Sequence, residues 1–132
     1  MNPSSATSRR ALHANDRGAA LVEMALLLPI LVLLLFGIVE FGRAYNAKIT
    51  LTHATREAVR VLSLTGDADA AAARLLASSS PLDTDLIGVS STECVRGEPT
   101  SITATYPFSY DIPLFGSATI TMDSTAVMRC GG

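Results

Sequence analysis

A chain of 132 residues has room for one small folded domain, and 48% hydrophobic residues with a positive mean hydropathy put part of it outside any water-soluble core. The net charge of −2 divides into +2 over the first 18 residues (Arg9, Arg10 and Arg17 against Asp16) and −4 over the rest, which leaves no basic patch to hold nucleic acid. Aromatic residues make up 5% with no Trp, too few for a large aromatic core or a base-stacking platform.

Residues 1–17, MNPSSATSRRALHANDR, show no sustained helical or strand period and read as a processing or targeting tail. From Ala19 the chain runs AALVEMALLLPILVLLLFGIV, with one charge. As a helix this run is about 31 Å long, the thickness of a bilayer core. In lipid every backbone amide has to be bonded internally, so a single crossing segment is helical, with Pro29 at most a kink. Lys and Arg do not orient it, because Arg43, Lys48, Arg56 and Arg60 follow as Arg9, Arg10 and Arg17 precede. The short tail, the downstream cysteines and the polar C-terminal part favour a cytoplasmic N terminus.

No proline occurs between Glu40 and Leu64, and small apolar residues recur at Ala44, Ala47, Leu51, Ala54, Ala58 and Val61. This heptad-like seam predicts that the helix continues over residues 40–65 and lets a helix or sheet approach closely. Gly66 suits the left-handed position that ends it, and Asp67 or Asp69 can cap a second short helix reaching Leu76, before Ser78-Ser79-Ser80-Pro81. Beyond that the period changes to two. Ile87 and Val89, then Ile102, Ala104 and Tyr106, then Ile120, Met122, Ala126 and Met128 alternate with polar residues, as half-buried antiparallel strands do. Residues 106–117, YPFSYDIPLFGS, read as a loop folded across the sheet or helix, since Pro107 and Pro113 disfavour a continuous strand. The predicted fold is α+β: one long N-terminal transmembrane helix continuing into a small exported domain with a short helix and a three- to four-stranded antiparallel sheet. Its divisions are a leader 1–18, a transmembrane helix 19–39 and an extracytoplasmic domain 40–132, with the sheet over about 86–130.

An even cysteine count in an exported domain favours a Cys94–Cys130 disulfide; in a cytoplasmic domain the same residues would be two buried thiols. An up-down-up meander brings both cysteines to one end of the sheet, with direct pairing of the first and third strands expected for good bridge geometry.

The most specific local pattern is Gly18, a small residue, followed by an apolar run with a carboxylate at its fifth position, Glu23. An unpartnered Glu in a membrane segment costs roughly 2.5–3.5 kcal/mol on insertion scales, so it marks either function or, one turn from the edge, a snorkelling side chain. Together with Arg17, the run through Pro29, the exit FGIVEFG (residues 36–42) and Ala58 to Arg60, this pattern resembles the TadE-like family of pseudopilins of the Tad (Flp) pilus system. The resemblance covers residues 17 to about 60; the segment around Thr105-Tyr106-Pro107-Phe108 and the last strand are similar in style only. It implies a prepilin-type leader ending at Gly18, Ala19 as the mature N terminus and Glu23 as a subunit-assembly residue. It also implies a bacterial inner-membrane subunit that a prepilin peptidase processes, working with other pilin subunits and the Tad assembly machinery in surface adhesion and biofilm formation. Met24 stands where the related major Flp pilins carry Tyr, which favours a minor pseudopilin.

Two other classes compete. Gly42 and Ala44 place small residues at −3 and −1 of a cut before Tyr45, as in a secreted binding protein released by signal peptidase, although the apolar run is long for that and Glu40 and Phe41 fall in the gap. An enzyme is disfavoured by the inventory. His13 lies in the leader and His53 is alone, no nucleophile elbow or phosphate loop is present, and Asp67/Asp69 and Asp83/Asp85 read as caps and turns short of a calcium loop. No cofactor, metal or small-molecule substrate is expected.

Overall fold

The computed structural model describes the backbone from residue 11 to 131 and side chains from residue 18. Most of the expected leader thus lies outside the described residues, including Arg9, Arg10 and the side chains of His13 and Arg17. In order, the elements are α1 (Ala11–Thr65), α2 (Ala68–Ala77), a 3-10 turn (Thr84–Leu86), and strands β1 (Gly88–Ser91), β2 (Pro99–Ile112) and β3 (Gly116–Arg129). The chain divides into two units, Met1–Ile38 and Val39–Gly132.

From Ala11 onward the first unit is helical, with Pro29 inside the helix. Every residue from 18 to 39 is exposed, including the whole Leu-rich run. A core helix of a soluble protein would have at least one buried face; this one is apolar all round and covered on none, as a segment in lipid is.

In the second unit the rest of α1 packs on one face of an antiparallel meander of order β1-β2-β3. Ala47, Leu51, Ala54 and Ala58 of the seam are buried, joined by Thr55, Val59, Leu62 and Ser63, so the buried stripe is wider than the heptad spacing marked. The even-numbered residues of β2 supply the opposing surface: Thr100, Ile102, Ala104 and Phe108 are buried, whereas the odd-numbered positions are partly or fully exposed and polar apart from the prolines. Ala71 and Leu75 of α2 and Ile87 close the core. Burial of a Leu or Ile side chain such as Leu51, Leu62, Leu75 or Ile102 contributes roughly 1.5–3 kcal/mol, and the alanines set the approach distance. The buried hydroxyls bond locally, Thr55 to Leu51 O (2.6 Å) and Ser79 to Leu75 O (2.6 Å). Among the described residues no buried side-chain polar atom lacks a partner.

Local signals set the element ends. Gly66, at φ +70°, donates its amide to Leu62 O and closes α1. Asp67 caps α2 by accepting from the amides of Asp69 (2.9 Å) and Ala70 (3.0 Å), and Asp83 caps the 3-10 turn through Asp85. An Arg74–Glu57 ion pair (2.7 Å) links α2 to α1.

The structure corrects two expectations. Residues 106–117 are not a loop over the core: β2 runs through Pro107 to Ile112 and returns as β3 in continuous register, Phe108 opposite Ile120 and Ile112 opposite Gly116. Pro107 is tolerated because β1 ends its pairing at Thr105. The odd positions of β2 bond toward β1, as Thr92 N to Ser101 O shows, so the missing amide of Pro107 falls on a free edge and costs β3 nothing. Pro113 occupies the turn itself. In the second correction, β1 and β3 are not neighbours; β2 lies between them.

Candidate functional site

The residues singled out at the membrane entry lie on one uninterrupted helical stretch, so their spacing fixes their geometry. Gly18, Ala19, Val22, Glu23 and Leu26 line a shallow, open depression along one face of α1. Ala19 and Glu23 are separated by four residues, and neighbours at that spacing have Cβ atoms about 5–6 Å apart. The Glu23 side chain is exposed, and among the described residues none forms a hydrogen bond or ion pair with it. A Cβ added at Gly18 would meet nothing within 4 Å. Helical Gly costs about 0.8–1 kcal/mol relative to Ala, and packing within the chain gives no reason for that cost here.

A second cluster follows the apolar run. Glu40 accepts from Arg43 through both carboxylate oxygens (2.8 and 3.0 Å), and the Arg43 guanidinium lies 5.6 Å from the centroid of the Phe108 ring. One turn further on, the Lys48 ammonium donates to the carbonyl of Asp123. In the fold Arg43 and Lys48 bind the start of this unit's helix to the β2–β3 hairpin. The Glu40/Arg43 spacing of three was a legible signal, whereas the partner Phe108 came from a segment assigned to a loop. Exposed pairs of this kind contribute up to about 1 kcal/mol each. The small residues Gly42 and Ala44 lie within α1 between these contacts.

At the far end of the sheet Cys94 and Cys130 form a disulfide, Cα–Cα 5.6 Å. The segment between β1 and β2 crosses the end of β2 to reach β3: Gly97 donates to Cys130 O and Cys130 to Glu98 O, both at 2.9 Å. Strand adjacency is therefore unnecessary for the bridge. Gly131 N donates to Ser63 O (2.8 Å), which fastens the end of β3 to the end of α1. His53 is exposed on α1, and among the described residues no three His, Cys, Asp or Glu side chains group as a metal site.

These features define a class: a protein with, among the described residues, one helix long and apolar enough to cross a membrane, and a small α+β domain closed by a disulfide. Residues 18–60, about a third of the chain, match the model of the TadE-like protein family, so this stretch of α1 is similar to TadE-like proteins. The matched stretch contains the entry pattern, the apolar run, the Glu40–Arg43 pair and most of the buried seam. No curated protein and no solved structure matches the chain.

Proposed function

We propose that this protein is a minor pseudopilin of a Tad (Flp) pilus system: a subunit held in the bacterial inner membrane by residues 19–39, with its N terminus cytoplasmic and residues 40–132 outside, supporting pilus assembly and so adhesion and biofilm formation. The observation that carries the reading is the placement of Gly18, Ala19 and Glu23 on one open helix face at the start of a fully exposed apolar run, inside the TadE-like segment. A prepilin peptidase cutting after Gly18 would free an ammonium at Ala19. As a second subunit slides alongside, that amine and a neighbour's Glu23 carboxylate neutralise each other in lipid, where each alone is costly. No chemistry of catalysis is needed, and the Tad assembly machinery and sibling pilins are the partners.

Release by signal peptidase after Ala44 has less support. That cut falls within α1 and would detach Glu40 and Arg43 from the domain whose Phe108 they approach. N-terminal sequencing of the mature protein distinguishes the routes: Ala19 is expected, and Tyr45 or Met1 would overturn the pseudopilin assignment. Gly18→Leu should accumulate the uncut precursor, visible as a slower band on an immunoblot. Its side chain enters open space, so a misfolded domain is not the explanation for that result.

A further inference from the structure

The Val39–Gly132 unit carries charge of opposite sign on two separate surfaces. The first is the back of its helix. At about 3.6 residues per turn, Glu57 falls opposite Lys48 around α1. Lys48 reaches β3 at Asp123 and Glu57 reaches α2 at Arg74, so the helix has β3 on one flank and α2 on the other. Arg56 and Arg60 fall between those flanks, exposed and turned away from the core, with the exposed Leu64 one turn beyond Arg60. Among the described residues neither arginine forms an ion pair, and Glu57, the acid beside Arg56, is already held by Arg74.

The second surface lies on the α2 side. After Gly66 the chain turns back, and α2 runs along α1 with Asp67 and Asp69 at its start, as the Arg74–Glu57 pair requires. The order β1-β2-β3 puts β1 at the sheet edge away from β3 and so toward α2, and Asp83 and Asp85 come shortly before β1. All four aspartates are exposed, as is Leu86 next to Asp85. Among the described residues no cation pairs with any of the four. Each surface is therefore an exposed leucine bordered by charges of one sign, the make-up of an apolar contact with a polar rim.

We propose that the back of α1 is a docking surface for the α2 side of a second copy of this chain: Arg56 and Arg60 of one copy face the four aspartates of the next, and Leu64 and Leu86 supply the apolar contact. The occupant is a second copy because one molecule carries both complementary surfaces, and charge decides the symmetry. A two-fold contact centred on either surface would set it against its own sign. A heterologous contact sets each surface against its opposite and leaves one of each free for further copies. Both surfaces run along the length of the helix, so copies joined through them keep their helices parallel, as chains anchored in one membrane must. The proposal rests on that anchor reading of residues 19–39.

The test uses the full chain in phosphatidylcholine vesicles, with donor and acceptor fluorophores on separate copies at Thr119→Cys and the native disulfide left oxidised; energy transfer reports association. Arg56→Glu, Arg60→Glu reverses the first surface and Asp69→Lys, Asp85→Lys the second, with the capping residues Asp67 and Asp83 left intact. Either variant alone should associate about tenfold or more weakly than the parent chain. An equal mixture of the two should recover, since each then offers the other an opposite charge on both surfaces, and recovery shows that both variants are folded. Variants that associate as tightly as the parent would overturn the contact. So would variants that lose association without recovering on mixing, or a parent chain that is monomeric in the vesicles. Those three results leave the anchor and the leader cut standing. Flotation with the vesicles reports the anchor separately, and a chain that does not float removes the anchor reading and this contact with it.

Discussion

The two halves of α1 are one secondary structure in opposite circumstances. Over residues 18–39 every side chain is exposed, and the sequence is apolar around the whole circumference. Over residues 47–63 one face is buried to the last side chain, and the opposite face carries Lys48, His53, Arg56, Glu57 and Arg60. Helix propensity does not distinguish them. What does is the partner each has available: the second half has a sheet, built from its own chain, and its side chains are small where that sheet comes closest. Among the described residues the first half has none, and an apolar cylinder covered on no side suits lipid. Stability of the domain and behaviour of the anchor should accordingly respond to different substitutions.

The largest effect is expected at the single charge of the first half. Glu23→Gln should leave the protein in the membrane fraction, since it removes the one costly group of the run, yet abolish or strongly reduce piliation counted by electron microscopy. Normal piliation would mean that the two halves differ only in solvent, without an assembly role for the first. Next is the disulfide, which belongs to the second half alone. Closing a loop with a sequence separation of 36 contributes about 4 kcal/mol in the chain-entropy model, so a Cys94→Ser, Cys130→Ser variant should unfold at clearly lower denaturant in detergent while its membrane partition is unchanged.

The comparison can be sharpened with one substitution made twice. Leu51→Ala, at a fully buried site in the same core cluster as Ile102 and Ala104, should cost the domain about 2–5 kcal/mol in denaturant unfolding. Leu28→Ala, on the exposed run, should change domain unfolding by less than about 0.5 kcal/mol. Equal costs would show that the first half also has a protein partner. The smallest effect is at the turn: Leu114→Gly relieves the positive-φ strain and should stabilise the domain by about 1 kcal/mol, read as a higher unfolding midpoint at unchanged slope.

Much of this architecture was legible from residue order. The apolar run, the Ala47-Leu51-Ala54-Ala58 stripe, the Gly66 stop and the Asp67 cap are local patterns, and local geometry turns each directly into structure. The alternation in Ile102, Ala104 and Tyr106 likewise announced a sheet with one face covered. The loop assigned to residues 106–117 shows where such reading ends. A proline is incompatible with a strand only where its amide would have bonded, and whether Pro107 faces β3 or an open edge depends on the length and register of β1, a distant segment. The same dependence hid the Arg43–Phe108 contact, because its partners are 65 positions apart (108 − 43) and meet only once the hairpin is laid along the helix.

The sequence by itself therefore determined the α+β class, the candidate membrane helix, its entry pattern at Gly18, Ala19 and Glu23, and the family resemblance of residues 18–60, all of which depend on neighbours within a few turns. Only the tertiary structure decided what covers the small-residue seam, how a loop brings Cys94 to Cys130 across the end of β2, and that residues 106–117 pair as a hairpin. Those depend on strand pairing between residues far apart in the chain, and the free energy of such pairing is settled by the whole set of contacts at once.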